Sequence, residues 1–245
     1  INWARIIAQS VYYFYCYYLI EDNDRPINFS VPTGNFGDVY AGYLAKKIGL
    51  PVNKFIVATN QNDILHRAIS KGRYDVEKVN ETISPSMDIQ LASNFERLIY
   101  DLNNHNDEKT IKAMQDIKEN GKYLISEENL NKINNHFLSS SINENEVLNI
   151  IKNVHAKFGM ILDPHTAIGY GAFEKVKLEG NNIVLATAHP CKFPDAIEKA
   201  INIKSELPDE LLYVLDEKEN YDIVENNLDK IKNHNFIKII FNYII

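Results

Sequence analysis

The run Val31-Pro32-Thr33-Gly34-Asn35-Phe36-Gly37-Asp38 does most to limit what this chain can fold into. Upstream, Ile27-Asn28-Phe29-Ser30-Val31 alternates and carries β-formers, and Pro32 then removes a ladder donor and ends the strand. Downstream, Val39 to Lys47 reads as a helix stopped at Gly49 and Pro51. A second strand follows at Lys54-Phe55-Ile56-Val57-Ala58. Strand, helix, strand implies parallel pairing with a right-handed crossover, hence an α/β fold: an open, mostly parallel sheet flanked by helices. In such sheets ligands bind at the strand ends, which here carry Pro32 to Gly37 and Thr59-Asn60.

The turn itself has the makings of a phosphate cradle. Gly34 and Gly37 lack the Cβ that would keep a phosphate from the backbone, and the first amides of a helix have no intrahelical acceptor. An anion there gains charge-assisted hydrogen bonds of about 1.5–3 kcal/mol each, plus the favourable end of the helix dipole. The spacing is not G-x-G-x-x-G, and Tyr43 stands where a Walker A loop needs lysine, so dinucleotide and nucleoside triphosphate readings both weaken. Any short strand-to-helix turn also wants a glycine and a cap, so the plain turn stays open beside the cradle. Asp38, itself anionic, suits capping or the helix dipole better than contact with a phosphate.

With 245 residues, 45% of them apolar, the chain can bury a full α/β core in one large domain or one domain with an insertion. Its net charge of −7 argues against a nucleic-acid surface or an anionic membrane and for a small-molecule partner met by local donors. Cys16 and Cys191 stand far apart without metal-ligand spacing, which suits a reducing compartment, the cytoplasm; Cys191 reads as an inert thiol rather than a nucleophile. No metal cluster is expected from seven scattered histidines. Trp3 to Ile20 is apolar but interrupted by Arg5, Gln9 and Ser10, so it reads as a buried helix and not as a membrane span or signal peptide. Its tyrosines, Tyr12, Tyr13, Tyr15, Tyr17 and Tyr18, read as packing groups with polar tips. A chain that opens on Ile1 directly in a helix is expected to be the later part of something longer.

Helical patterns follow at Asp63 to Ser70 and Met87 to Leu102, the second with Ser84-Pro85-Ser86 and Asp88 as its start. From Asp101 the composition shifts to Asn, Lys and Glu, with amphipathic helices near Glu108–Asn120, Glu127–Phe137 and Glu144–Lys157: a helical insertion with solvated faces. The α/β signal resumes at Gly159 to Ile168, and Ile183-Val184-Leu185-Ala186 reads as a buried strand leading to Thr187-Ala188-His189-Pro190, with a helix from Phe193 to Ile201. The expected organisation is a cofactor-binding α/β domain in two parts, 1–100 and 158–206, around an insertion over 101–157, with a tail over 207–245. The tail has two weak amphipathic stretches and an unusually apolar end, Phe236 to Ile245.

Several of these segments together resemble the threonine synthase family of pyridoxal-phosphate enzymes, of the tryptophan-synthase-like fold type II. The segments are Ile1-Asn2-Trp3-Ala4-Arg5, Val31 to Asp38, Ala58-Thr59-Asn60 with Asn62-Asp63, Ser84 to Asp88 with Asn94 to Arg97, Asp163-Pro164-His165-Thr166-Ala167, and Thr187-Ala188-His189-Pro190 followed by Lys192-Phe193. The resemblance implies that Gly34, Asn35, Phe36, Gly37 and Asp38 seat the phosphate of pyridoxal 5'-phosphate, and that Thr187 meets its pyridine nitrogen. A neutral hydroxyl there need not protonate the ring, so the electron sink is gentler than with a carboxylate. It also implies that Asn2 and Arg5 bind substrate, Arg5 offering its guanidinium fork to the phosphate of O-phospho-L-homoserine. Strand-end capping for Thr187 and a plain surface arginine for Arg5 remain the structural alternatives. Asp163, His165, His189 and Arg97 receive no chemistry from their spacing.

The activity implied is loss of the γ-phosphate from O-phospho-L-homoserine with water addition at the β-carbon, giving L-threonine, in a monomer or homodimer. The family's Schiff-base lysine lies ahead of the Asn-Trp-Ala-Arg segment, and no matching motif occurs here, so the catalytic lysine is expected to be absent and the chain inactive alone. Lys192 is expected to be an ordinary polar contact. The rival readings are another fold type II lyase acting on serine or threonine, which would bind no substrate phosphate, and a non-catalytic cofactor- or phosphate-binding module.

Overall fold

The computed structural model describes residues 2–21 and 24–234. Helix α1 (Trp3–Tyr18) starts where the Asn2 side chain accepts the Ala4 amide at 2.8 Å, and it turns Ile6, Ser10 and Tyr13 inward. Then come β1 (Ile27–Pro32), α2 (Gly37–Lys47) and β2 (Val52–Thr59), with β1 and β2 parallel and in contact from Ile27 to Pro32. Pro32 can be the last ladder residue because the Thr33 amide takes over, donating to the Ala58 carbonyl at 2.8 Å. The chain continues through α3 (Ile64–Lys71), β3 (Arg73–Asp75), α4 (Phe95–Leu102), α5 (Asp107–Asn120), β4 (Lys122–Leu124), α6 (Glu127–Asn134) and β5 (Phe137–Ser141). It closes with α7 (Glu144–Phe158), α8 (Pro164–Val176), β6 (Asn181–Val184) and α9 (Pro194–Ile201).

The main sheet has four parallel strands in the order β5-β2-β1-β6, with β3 and β4 forming a separate antiparallel pair. Side chains alternate across it, as the period of a strand requires. Phe29, Val31, Phe55 and Val57 face α1 and α2 in one apolar layer, while Ile56 and Ala58 join Ile151, Ala167, Ile168 and Ala172 of α7 and α8 in the other. Each such large side chain, fully buried, contributes about 1.5–3 kcal/mol. On the α8 side β1 presents the small Ser30, whose hydroxyl donates to the Gly169 carbonyl at 2.6 Å. A Cβ on Gly169 would come within 3.0 Å of Pro32, so helix and strand approach this closely only with glycine there.

Four expectations change. The segment 101–157 carries α5, α6 and α7, yet it is not solely helical: β5 is an edge strand of the main sheet and β4 pairs with β3, so the segment is built into the fold. The expected helix to Phe137 stops at Asn134, because Phe137 is fully buried beside Phe55 and its backbone pairs with β2. The expected helix over Met87–Leu102 splits into a 3-10 turn at Pro85–Met87 and α4. Asp88 is drawn out of any helix there by hydrogen bonds from Asn60, Asn62 and Thr82. The strand read at Ile183–Ala186 is β6, two residues earlier and half-buried because it is an edge strand.

Residues Ile1–Glu206 form one compact unit and Leu207–Ile245 another. Within the second, a 3-10 helix spans Asp209–Leu215 and a helical segment covers 228–234; the apolar run Phe236 to Ile245 lies outside the described residues. Among the described residues no helix is long and apolar enough to cross a membrane.

Candidate functional site

A cavity of about 490 Å³ opens where β1 ends and α2 begins. All the residues singled out above for cofactor or substrate line it: Asn2 and Arg5 from α1, Gly34 to Asp38 from the turn, and Thr187 from the loop after β6. The turn is shaped by Phe36, which takes a left-handed φ of 68° and has its ring fully buried against Phe95 and Phe137, with centroids at 5.1 and 5.8 Å. A left-handed backbone costs a non-glycine residue about 1 kcal/mol, which the buried ring more than offsets. Gly34 is required by a close approach: a Cβ there would lie 2.5 Å from the Ser86 carbonyl oxygen.

Helix α2 has no side-chain cap. Among the described residues no acceptor meets the amides of Gly34, Asn35, Phe36 or Asp38, so four donors stand at one end of the cavity beside the positive end of the helix dipole. The Gly37 amide differs from the sequence expectation. It donates to Asn35 Oδ1 at 3.0 Å, within an Asx turn, and is spent inside the protein. Asn35 is fixed in turn by its carbonyl, which accepts the Asn94 amide at 3.0 Å.

The Asp38 carboxyl neither caps α2 nor points freely at solvent. Tyr13 donates its hydroxyl to Asp38 Oδ1 at 3.1 Å and to the Asp38 carbonyl at 2.9 Å. Burial pushes the carboxyl up to about 6, against the lowering effect of that hydrogen bond. Burial beside Asp38 also holds the Tyr13 phenol well above its ordinary value, so it stays a donor.

Arg5 and Lys192 also line the cavity, and among the described residues neither has an ion-pair partner. Asn2 does less than expected of it: its Oδ1 is engaged as the cap of α1. Thr187 is exposed and lines the cavity, with its amide donated to Thr166 Oγ1 at 3.3 Å.

Sequence reasoning left several lining residues without a part. Asn94 touches the turn, and its Oδ1 accepts Arg97 Nε at 3.1 Å while the Arg97 guanidinium stacks over Trp3 at 4.1 Å. His165, buried at the start of α8, packs on Phe193 at 4.8 Å; its Nδ1 meets Asp163 Oδ1 at 3.0 Å and its Nε2 accepts the Ser86 amide at 3.3 Å. That second bond fixes the tautomer, with the ring proton on Nδ1. The only signal for these residues was their place in the quoted motifs. His189 is exposed, with its ring Nδ1 accepting the nearby Cys191 amide at 3.2 Å, and among the described residues no group of metal-ligating side chains forms a site.

Comparison with known proteins agrees with the geometry. A family model described as "Threonine synthase, C-terminal" matches residues 166–234. The chain is 43% identical over 235 residues to a threonine synthase of Pseudomonas aeruginosa, covering 95% of this chain and 50% of that protein. It is 40% identical over 239 residues to the enzyme of Saccharomyces cerevisiae, covering 86% and 46%. Among solved structures, the pyridoxal-phosphate-bound threonine synthase of Brucella melitensis superposes with a TM-score of 0.89 at 42% identity, over 96% of this chain and 51% of that one. The chain thus spans about half the length of the relatives it matches. In sequence and in fold type II architecture, this chain matches the C-terminal half of threonine synthases.

Proposed function

We propose that this chain forms the phosphate-holding part of a threonine synthase active site acting on O-phospho-L-homoserine. The observation that carries the reading is the set of four amides without acceptors, at Gly34, Asn35, Phe36 and Asp38, at the uncapped start of α2 inside a cavity that also holds Arg5 and Thr187. A pyridoxal-phosphate monoester fits that donor set: its phosphate oxygens accept what the protein leaves unpaired. When bound, the cofactor supplies an electron sink for carbanionic character next to the substrate's amino group.

The chain's own groups then divide the work. The four amides fix the cofactor phosphate, and Gly37 supports them indirectly by holding the Asn35 side chain. The Thr187 hydroxyl would meet the pyridine nitrogen as a neutral partner that need not protonate the ring. Arg5 presents a planar fork to the substrate phosphate from α1, with Asn2 beside it, and Lys192 adds positive charge as a polar contact. No lysine of this chain is assigned the Schiff-base role; Lys192 sits in the motif that follows Thr187, away from the segment where the family carries that residue. Two free thiols and a small-molecule substrate fit a cytoplasmic enzyme.

An unpaired arginine in the cavity wall favours this reading over a lyase acting on an unphosphorylated amino acid. Arg5→Ala in the full-length protein tests it. The expected result is a KM for O-phospho-L-homoserine raised about 10-fold or more, for loss of a charge-assisted bidentate contact, with cofactor affinity unchanged. An unchanged KM would move the assignment to a dehydratase-like activity.

A further inference from the structure

The ring-nitrogen side and the phosphate side of the cavity share one buried carboxylate. Asp163, 1% exposed, caps α8 and sends one oxygen each way. Its Oδ1 accepts the His165 amide at 2.9 Å and His165 Nδ1 at 3.0 Å, and His165 reaches the Ser86 amide, on the residue whose carbonyl abuts Gly34. Its Oδ2 accepts the Thr166 amide at 3.3 Å and the Thr166 hydroxyl. With its proton committed to Asp163, the Thr166 hydroxyl has lone pairs to offer, and one accepts the Thr187 amide at 3.3 Å. Thr166 is 6% exposed, so water is poorly placed to take over that bond.

Thr187 needs such an anchor. It follows an edge strand that ends at Val184, and after the Leu185 amide bonds the Ser30 carbonyl at 3.0 Å the next tie from an amide to another element is Thr187 to Thr166. We infer that Thr166, oriented by Asp163, is a positioning residue that sets where the Thr187 hydroxyl stands against the cofactor's ring nitrogen. The inference rests on the role proposed for Thr187. The same carboxylate, through His165 and Ser86, adjoins the turn that would hold the cofactor phosphate, so the two ends of the cofactor seat are held in register by Asp163.

The test is made in the full-length enzyme with pyridoxal 5'-phosphate as the titrant, comparing wild type, Thr166→Val, Thr166→Ser, Thr187→Ala and the double variant Thr166→Val/Thr187→Ala. Thr166→Val keeps shape and removes both hydrogen bonds of the hydroxyl; the expected result is cofactor affinity weakened about 2- to 10-fold, for loss of one positioned hydrogen bond at the ring. The absorption maximum of the bound cofactor shifts in the direction Thr187→Ala shifts it, Thr166→Ser restores both readouts, and the double variant is no worse than Thr187→Ala. If Thr166→Val does not fold, Thr166→Ala against Thr166→Ser gives the same contrast. Thr166→Val that lowers the melting temperature of the cofactor-free protein while leaving affinity and spectrum at wild-type values would overturn the inference and make Thr166 purely structural. A Thr187→Ala enzyme with unaltered affinity and spectrum would instead overturn the role of Thr187, and the inference with it.

Discussion

Asp38 places a titrating carboxyl at the uncapped start of α2, and its replacement by asparagine has a sign and size that can be worked out. The carboxyl is raised from 3.8 to about 6 by burial. A raised carboxyl favours the protonated, folded form, so its contribution is most favourable below the unfolded value and is lost as pH rises through the folded one. At pH 7.5 the buried Asp38 carboxyl therefore costs about 3 kcal/mol relative to its unfolded reference, and at pH 5, where it is mostly protonated, about 2 kcal/mol. Asp38→Asn has no such titration, and its amide oxygen can still accept the Tyr13 hydroxyl that lies 3.1 Å from Asp38 Oδ1. The stability gained by Asp38→Asn over wild type should thus grow by about 1 kcal/mol from pH 5 to pH 7.5. Urea unfolding of both full-length proteins without cofactor, at pH 5, 6 and 7.5, measures it. A gain that does not change across that range would refute the argument, because it would mean that Asp38 is already ionised at pH 5 and its burial is compensated.

The same geometry makes other outcomes checkable. Gly34→Ala drives a methyl to 2.5 Å from the Ser86 carbonyl oxygen, and since the opposing atom is backbone the turn must move. We expect a loss of about 1–3 kcal/mol in denaturant unfolding together with weakened pyridoxal 5'-phosphate binding by fluorescence titration; wild-type values for both would mean the Ser86 loop yields freely. Asp163→Asn puts an NH2 where one carboxylate oxygen accepts from His165 or Thr166, leaving donors facing each other. It should cost about 1–3 kcal/mol of stability and reduce cofactor retention on gel filtration, whereas removal of a cap alone would affect stability without retention.

How much of this was legible in the sequence follows from how local each cause is. The unit β1, turn and α2 was readable because alternation, Pro32 and the two glycines all act within a few residues. Strand β5 was not: Phe137-Leu138-Ser139-Ser140-Ser141 has little β-forming character of its own and becomes a strand by pairing with β2, more than eighty residues earlier. The break at Asp88 likewise comes from Asn60 and Asn62, outside any window in which the helical period of 87–102 is judged.

The site divides along the same line. Asn2, Arg5, Gly34 to Asp38 and Thr187 were named from motif order, and the fold brings them to one cavity. Which of their polar groups are available was a three-dimensional matter. The Gly37 amide and the Asn2 side-chain Oδ1 are used within their own turns, and the Asp38 carboxyl is turned toward Tyr13, twenty-five residues earlier in the chain. Four amides remain without an acceptor among the described residues, in a turn where Phe36 takes a left-handed backbone and buries its ring in the core. A side chain that belongs to the core thus sets the chemistry of the cavity: Phe36→Gly would relieve the backbone and keep the amides, yet removing the ring packed on Phe95 and Phe137 would cost about 3–5 kcal/mol and free the turn to close on itself.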